Sequence, residues 1–207
     1  MRRRRSIRLQ GYDYTQPGAY FVTICTYGRE HLFGTVMDGG MQENELGGIV
    51  REEWFRTAQV RPYVRLHQDE FVVMPNHIHG IIWIVDDTVG ARRRRAPTTE
   101  RFGKPVPGSI PTIIRAFKSA VTRRINTLRG TPGAPVWQRN YWEHIIRTKR
   151  ALSAIQRYIR QNPQRWALDR YNTQASGEDP LARQIWGLLK TQTGGNDEHI
   201  SLLTDDR

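Results

Sequence analysis

The order of the predicted elements places this 207-residue chain in the α+β class. Two patterns alternate along it: β-branched and aromatic runs typical of strands, and apolar residues at the three- and four-residue spacing of helices. Their order is strand, helix, strand, strand, helix, strand, helix. This order predicts a ferredoxin-like, split βαβ antiparallel sheet with helices on one face and one helix added at the C-terminal end.

The first half of the chain contains one strand, one helix and two further strands. Residues 19–27 are β-branched and aromatic throughout, which indicates a central strand. Apolar residues at helical spacing then predict a helix over residues 43–59. Two β-rich runs follow at residues 64–73 and 77–85, and the Met-Pro-Asn link at residues 74–76 is typical of a hairpin.

The second half continues with a loop, a helix, a strand and a last helix. Residues 86–108 combine four successive arginines with prolines and glycines, which predicts a flexible basic loop. A helical stripe follows from the N-cap Ser109 to Gly130. We then expect a strand over residues 136–147 and a helix over residues 152–161, which ends at an Asn-Pro pair.

Charge is distributed unevenly and divides the chain. The formal net charge is +12, and 28 of the 32 basic residues are arginines. Residues 171–207 contain six acids and three bases, which leaves a net charge of +15 on residues 1–170. A body this basic is typical of proteins that bind polyanions. We expect one domain over residues 1–170 and an acidic C-terminal extension over residues 171–207, with a short helix at residues 180–189.

Composition and hydropathy exclude several classes of protein. Cys25 is the one cysteine, so the chain cannot hold an internal disulfide framework. The longest apolar run, residues 81–85, is far shorter than the roughly twenty residues that a membrane span needs. The arginine-rich start is followed by no apolar segment of a secretory signal. We therefore expect a cytoplasmic protein with no membrane partner.

Two histidines on a predicted strand are the most informative residues. His77 and His79 project from the same face of the strand, while Ile78 points into the core. Two neutral imidazoles at this spacing can bind one divalent metal ion. Paired polar residues also occur on the solvated face of a half-buried sheet, so a purely structural role stays open.

A second candidate group lies on the last predicted helix. Tyr158 and Asn162 are four positions apart and therefore share one helix face. If that face meets the sheet where the histidines project, the Asn162 amide oxygen becomes a third metal ligand and Tyr158 a nucleophile beside it. The alternative is that Tyr158 is a core aromatic residue and Asn162 caps the helix before Pro163.

Four segments, in this order, resemble the HUH single-tyrosine transposases, and within them the REP-associated tyrosine transposases of bacteria. The segments are residues 20–24 (YFVTI), 73–79 (VMPNHIH), 137–147 (WQRNYWEHIIR) and 158–163 (YIRQNP). The resemblance covers roughly residues 10–170. It implies a ferredoxin-like catalytic domain, single-stranded DNA with hairpin structure as substrate, and a divalent metal, Mg²⁺ or Mn²⁺.

The resemblance also assigns roles to four residues. His77 and His79 match the histidine pair of the family, Asn162 matches its third metal ligand, and Tyr158 matches its nucleophile. It implies cleavage and rejoining of DNA at palindromic repeats through a 5′-phosphotyrosine intermediate, in a bacterial nucleoid, by a monomer or homodimer. Residue types alone leave manganese and zinc open, because imidazole pairs are common zinc ligands.

Basic residues around these motifs are the candidate DNA-binding groups. They lie on an N-terminal arm, on the basic loop, on one helix face and beside the candidate nucleophile. Arms and loops of this kind suit backbone phosphates, and Arg157 or Arg160 could also lower the pKa of Tyr158. The candidates are Arg3, Arg4, Arg5, Arg93, Arg94, Arg115, Lys118, Arg123, Arg139, Arg157 and Arg160.

Competing interpretations exist for the nucleophile and for the function. Tyr141 precedes Trp142, Glu143 and His144, a set that looks catalytic, but no amide or carboxylate lies one helical turn away from it. Two other functions stay open. One is a non-catalytic hairpin DNA- or RNA-binding module on the same fold, and the other is a nuclease of the rolling-circle replication initiator type.

Overall fold

Seven strands and four α-helices are assigned within residues 12–85 and 106–191, the parts of the chain that this computed structural model describes. In chain order they are β1 (Gly18–Cys25), β2 (Gly34–Met37), β3 (Gly40–Glu43), α1 (Glu45–Gln59), β4 (Val64–Arg65), β5 (Phe71–Met74), β6 (His77–Ile84), α2 (Ile110–Arg129), β7 (Trp142–Ile146), α3 (Lys149–Gln161) and α4 (Pro180–Thr191).

The main sheet has the strand order β5-β6-β1-β7, and β4 also pairs with β6. Every pairing is antiparallel, which confirms the predicted α+β, ferredoxin-like class. The register sets Thr23 opposite His79 and Cys25 opposite His77. Because side chains directly opposite each other share a face, Thr23 and both histidines lie on one side of the sheet.

Helices cover both faces of this sheet. Helices α1 and α2 pack on the face that carries Tyr20, Val22 and Ile24. Helices α3 and α4 pack on the opposite face, which carries Phe21 and Met74. The added C-terminal helix therefore covers the face from which the histidines project.

The Trp54 side chain of α1 lies against β6 at Gly80. The Trp54 ring of α1 stacks on Phe71 with centroids 4.7 Å apart. A Cβ atom added to Gly80 would lie 2.4 Å from the Trp54 ring. Glycine at this position thus lets a large aromatic side chain lie flat on the sheet directly behind His79.

The predicted strand over residues 64–73 is interrupted in the structure. A 3-10 turn, Gln68–Glu70, separates β4 from β5. It places the buried Glu70 carboxylate where it accepts hydrogen bonds from Trp83 Nε1 at 2.6 Å and from Gln156 Nε2 at 2.8 Å. A buried carboxylate needs hydrogen-bond donors, and the two donors of Glu70 lie on other elements. These hydrogen bonds account for the interruption between β4 and β5.

Other predicted elements differ mainly in their ends. Helices α1, α2 and α3 confirm the helices predicted at these places, and α4 lies where the short helix over residues 180–189 was predicted. The predicted strand over residues 136–147 shortens to β7, with one further bridge from Trp137 to Thr26. Most of the predicted basic loop and the chain after α4 fall outside the described residues. Within the described residues, no helix has the length and apolar character that a membrane span requires.

Candidate active site

The two predicted histidines lie side by side in a buried cluster of polar side chains. His77 and His79 are both fully buried, at 0% exposure. Their Nε2 atoms lie 3.1 Å apart. Each ring therefore presents the same nitrogen to a shared point between β6 and the C-terminal end of α3.

Neighbouring hydrogen bonds fix which nitrogen of His77 carries a proton. Asn76 Nδ2 donates to the backbone carbonyls of Arg29 at 3.2 Å and Tyr171 at 2.8 Å. Both amide protons are thus used, and the remaining Asn76 Oδ1 can only accept, from His77 Nδ1 at 2.9 Å. The proton sits on Nδ1, and the lone pair of Nε2 faces the other histidine.

Thr23 orients the His79 ring. Its Oγ1 lies 2.8 Å from His79 Nδ1, within hydrogen-bond distance. With Nδ1 engaged by the hydroxyl, Nε2 of His79 is left facing His77. Hydrogen-bonding partners of this kind commonly orient histidines that bind metal ions.

Burial keeps both imidazoles neutral. Burial, followed by the nearby Arg29 charge, lowers the pKa of His77 to about 3. Burial, followed by the neighbouring His77, holds the pKa of His79 well below its usual value. Neutral imidazole is the form that binds metal ions.

Asn162 supplies an oxygen to the same point. It follows α3 and is fully buried. Its Nδ2 donates to Asp169 Oδ2 at 2.9 Å, and its Oδ1 is buried without a hydrogen-bond partner. Asn162 favours the protonated form of His77, which indicates that the orphaned oxygen faces that ring. Asn162 is thus both the residue that ends α3 and a member of the cluster.

These donors fit a divalent cation. Two ligands bound about 2.1 Å from a metal ion and at right angles to each other lie about 3 Å apart, and the histidine nitrogens are 3.1 Å apart. The lone pair of His77 Nε2 and the orphaned Asn162 oxygen are both electron-rich, and a positive charge between them would stabilise them. His77, His79 and Asn162 are therefore the residues that would hold such an ion.

Tyr158 lies beside this point, one turn before Asn162 on α3. Its hydroxyl is 3.3 Å from His79 Nε2, and its side chain is 2% exposed. Burial, followed by the Asp169 charge, raises the pKa of Tyr158 well above its usual value. The cation that opposes this shift is Arg170, which the sequence interpretation did not consider for this role.

Four further groups at the site were not predicted from the sequence, and three of them lie on the side of the mouth. The Tyr171 ring centroid lies 4.7 Å from that of His77 and 5.8 Å from that of His79, so Tyr171 covers both histidines. The guanidinium groups of Arg29 and Arg170 lie 5.7 Å and 5.5 Å from the Tyr171 ring centroid. Both arginines are exposed, which places two cations at the mouth of the site.

Asp169 is the remaining missed residue. Its side chain is 2% exposed, and Oδ2 lies 4.0 Å from His77 Nε2. The candidate ligand atoms of His77, His79 and Asp169 all lie within 4.8 Å of one another. The 3-10 turn Pro163–Leu168 returns the chain to the histidines here, and no periodic pattern in the sequence signals that return.

Tyr141 lies away from this cluster. It packs against the core formed with α1 and α2, on the sheet face opposite the histidines. Of the two tyrosines considered as nucleophiles, Tyr158 is thus the one that the fold brings to His79.

Of the six predicted DNA-binding residues that the structure describes, Lys118, Arg123 and Arg139 line one cleft between α2 and the segment before β7. Lys118 donates to the carbonyls of Gln138 at 2.6 Å and Arg139 at 3.1 Å, and burial lowers the pKa of its ammonium group to about 8. Arg160 lies 3.7 Å from Asp69. The other described candidates are exposed: they are Arg115, Arg123, Arg139 and Arg157. The remaining candidates fall outside the described residues: they are Arg3, Arg4, Arg5, Arg93 and Arg94.

The main sheet thus contributes two histidines, and α3 and its C-terminal end contribute a tyrosine and an asparagine, to one buried cluster. The chain is 41% identical over 168 residues to a Haemophilus influenzae protein of uncharacterized function, covering 80% of this chain and 91% of that protein. The chain belongs to the same family as that protein.

A second Haemophilus influenzae protein, named "Putative REP-associated tyrosine transposase", is 24% identical over 152 residues, covering 73% of each chain. This similarity confirms the resemblance that the four motifs predicted. No protein-family model matches the chain.

Two solved structures are similar at low identity. A REP-associated tyrosine transposase bound to a REP hairpin aligns with a TM-score of 0.47 and 18% identity, covering 79% of this chain and 73% of that one. A crystal structure of "a putative transposase" from Deinococcus radiodurans aligns with a TM-score of 0.37 and 20% identity, covering 76% of this chain and 98% of that one.

Proposed function

We propose that the protein is a metal-dependent transposase-type enzyme that cleaves and rejoins single-stranded DNA at hairpin sequences. One observation carries the proposal: Tyr158 and His79, 79 positions apart in the chain, meet at 3.3 Å beside His77 and the orphaned oxygen of Asn162. A nucleophile and a candidate metal site in contact suit phosphodiester chemistry. The name of the 24% identical relative supports the same reaction class.

Tyr158 would perform the covalent step. Its phenol oxygen attacks the scissile phosphorus, the bond to the 3′-oxygen breaks, and a 5′-phosphotyrosine forms. The phenol gives up its proton, and the departing 3′-oxygen takes one up as a free hydroxyl. Because the phosphodiester energy is kept in the tyrosine ester, attack by a 3′-hydroxyl reverses the step and rejoins DNA without ATP.

Other residues hold the reacting groups. A Mg²⁺ or Mn²⁺ ion bound by His77, His79 and Asn162 would polarise the scissile phosphate and stabilise its developing charge. Asn76 and Thr23 keep both imidazoles turned toward that point.

Arg29 and Arg170 would bind the phosphate on the substrate side. They flank the Tyr171 ring at the mouth of the site. A guanidinium group can donate two parallel hydrogen bonds to two oxygens of one phosphate. Tyr158 is 2% exposed and Tyr171 is 8% exposed. A phosphate can therefore reach Tyr158 only when Tyr171, or the segment that carries it, moves aside.

The test is incubation with a 3′-labelled hairpin oligonucleotide and Mn²⁺, followed by denaturing gel electrophoresis, because the 5′-phosphotyrosine retains the DNA on the 3′ side of the cleaved bond. We expect a slowly migrating covalent adduct that forms with Mn²⁺ or Mg²⁺, disappears with a chelator and disappears in Tyr158→Phe. Tyr141→Phe is the matched control and should keep the adduct. Tight hairpin binding with no adduct at any divalent ion would support a binding module instead and would refute the enzymatic proposal.

A further inference from the structure

We propose that Asp169 is a positioning residue of the metal centre: its carboxylate holds the Asn162 amide in the orientation that aims Oδ1 at the histidines. The inference rests on the metal site of the proposed function and adds a group that the sequence motifs do not include. It also gives the site its negative charge.

The position of Asp169 is fixed from several sides. Its Oδ2 accepts from Asn162 Nδ2 at 2.9 Å, and its Oδ1 accepts from the Tyr171 backbone N–H at 2.6 Å. The side chain is 2% exposed. Neither carboxylate oxygen can rotate away without losing a buried hydrogen bond.

An amide side chain has two orientations of nearly the same shape, and its partner selects one of them. A carboxylate only accepts hydrogen bonds, so Asp169 can satisfy Asn162 only through Nδ2. The oxygen of Asn162 must then point the other way, where it is buried beside His77 without a partner. An amide at position 169 would use its one oxygen for the Tyr171 N–H and present its NH₂ group to Asn162, which would turn the Asn162 oxygen away from the histidines.

The charge of the Asp169 carboxylate also supports a metal ion at this site. A buried carboxylate is costly unless a positive charge compensates it. Among the described residues, the ion-pair contact of Asp169 within 4.0 Å is with His77, a side chain that is not permanently charged. A divalent cation between the histidines and Asn162 would supply the missing charge.

The test is a double-mutant cycle on metal binding, which needs no DNA. Mn²⁺ affinity is measured by calorimetry on chelator-treated protein for the wild type, Asp169→Asn, Asn162→Ala and the double variant. We expect Asp169→Asn to weaken Mn²⁺ binding by about 10- to 100-fold, the usual effect of removing a group that orients a ligand. The double variant should bind Mn²⁺ no more weakly than Asn162→Ala alone, because Asp169 acts through Asn162.

Thermal unfolding without metal separates this role from a structural one. Asp169→Asn removes an uncompensated buried charge, so its melting temperature without metal should equal or exceed that of the wild type. Asp179→Asn is the matched control, because Asp179 is also buried but pairs with Arg165. It should lower the melting temperature and leave Mn²⁺ affinity unchanged.

Each outcome of these measurements either supports or overturns the role of Asp169. Wild-type Mn²⁺ affinity in Asp169→Asn, or strictly additive losses in the cycle, would overturn the inference. If Asp169→Asn does not fold, Asp169→Ala gives the same reading, because it too releases the Asn162 amide. A coupled loss of Mn²⁺ binding with no DNA adduct in the wild type would keep Asp169 in the metal centre while refuting the proposed cleavage. A Tyr158-dependent adduct, together with wild-type Mn²⁺ affinity in Asp169→Asn, would support the proposed cleavage and overturn the role of Asp169.

Discussion

Acid should destabilise the metal-free protein through His77. The pKa of His77 is lowered to about 3 in the folded protein by burial, whereas an unfolded histidine titrates near 6.5. Between these values the unfolded chain binds the extra proton and the folded one does not. The stability that neutral His77 provides is therefore complete above about pH 6.5 and is lost progressively as the pH falls toward 3.

The magnitude at pH 5 follows from that shift. Moving from pH 7 to pH 5 costs about 2 kcal/mol for one such histidine, and the figure changes little for any folded pKa below about 4. In a domain of this size, a loss of about 2 kcal/mol corresponds to a melting temperature lower by roughly 4–8 °C.

Chemical denaturation with a chelator present, at pH 7 and at pH 5, measures this directly. His77→Gln should lose about 2 kcal/mol less than the wild type between the two pH values, because glutamine does not titrate. His67→Gln, at an exposed position, is the control and should keep the wild-type dependence. Equal pH dependence in His77→Gln and the wild type would refute the assignment of His77 as a buried neutral ligand.

Three further predictions concern other parts of the account. Thr23→Val removes the hydroxyl that orients His79 and should weaken Mn²⁺ binding by about 10- to 100-fold in calorimetry; unchanged affinity would count against the orienting role. Gly80→Ala should lower the free energy of unfolding by about 1–3 kcal/mol, because its methyl group would overlap an indole ring. Gly48→Ala, in an open part of α1, should instead raise it by up to about 1 kcal/mol, and denaturant titration checks both; equal effects would exclude the steric reason. Arg29→Ala should weaken hairpin binding and reduce its salt dependence by about one unit of log–log slope in fluorescence titrations, and an unaltered slope would remove Arg29 from the phosphate contacts.

Local patterns were sufficient for the residues that lie on regular elements. Strand alternation placed His77 and His79 on one face, and helical spacing placed Tyr158 and Asn162 on another. The ferredoxin-like order then brought these faces together, as the 3.3 Å contact at His79 shows.

Residues that follow irregular segments could not be predicted from local spacing. Asp169 follows a 3-10 turn, and its neighbour Tyr171 returns over the histidines without any repeating spacing. Glu70 interrupts a strand because of partners on distant elements, which is a tertiary effect that no local pattern records. The hairpin of β2 and β3 was not predicted, although a local pattern indicates it. Its Asp38-Gly39 turn, with φ values of 51° and 72°, has the usual sequence of a two-residue hairpin loop.

The central claim is that Tyr158 is the nucleophile. Its most direct test is mass spectrometry of the protein after reaction with a hairpin oligonucleotide and Mn²⁺, nuclease trimming of the DNA and proteolysis. We expect a nucleotide attached to the peptide that contains Tyr158, with fragment ions that locate it on the phenol oxygen. A nucleotide on Tyr141 or Tyr171 would contradict this assignment, as would complete cleavage of the hairpin with no modified tyrosine.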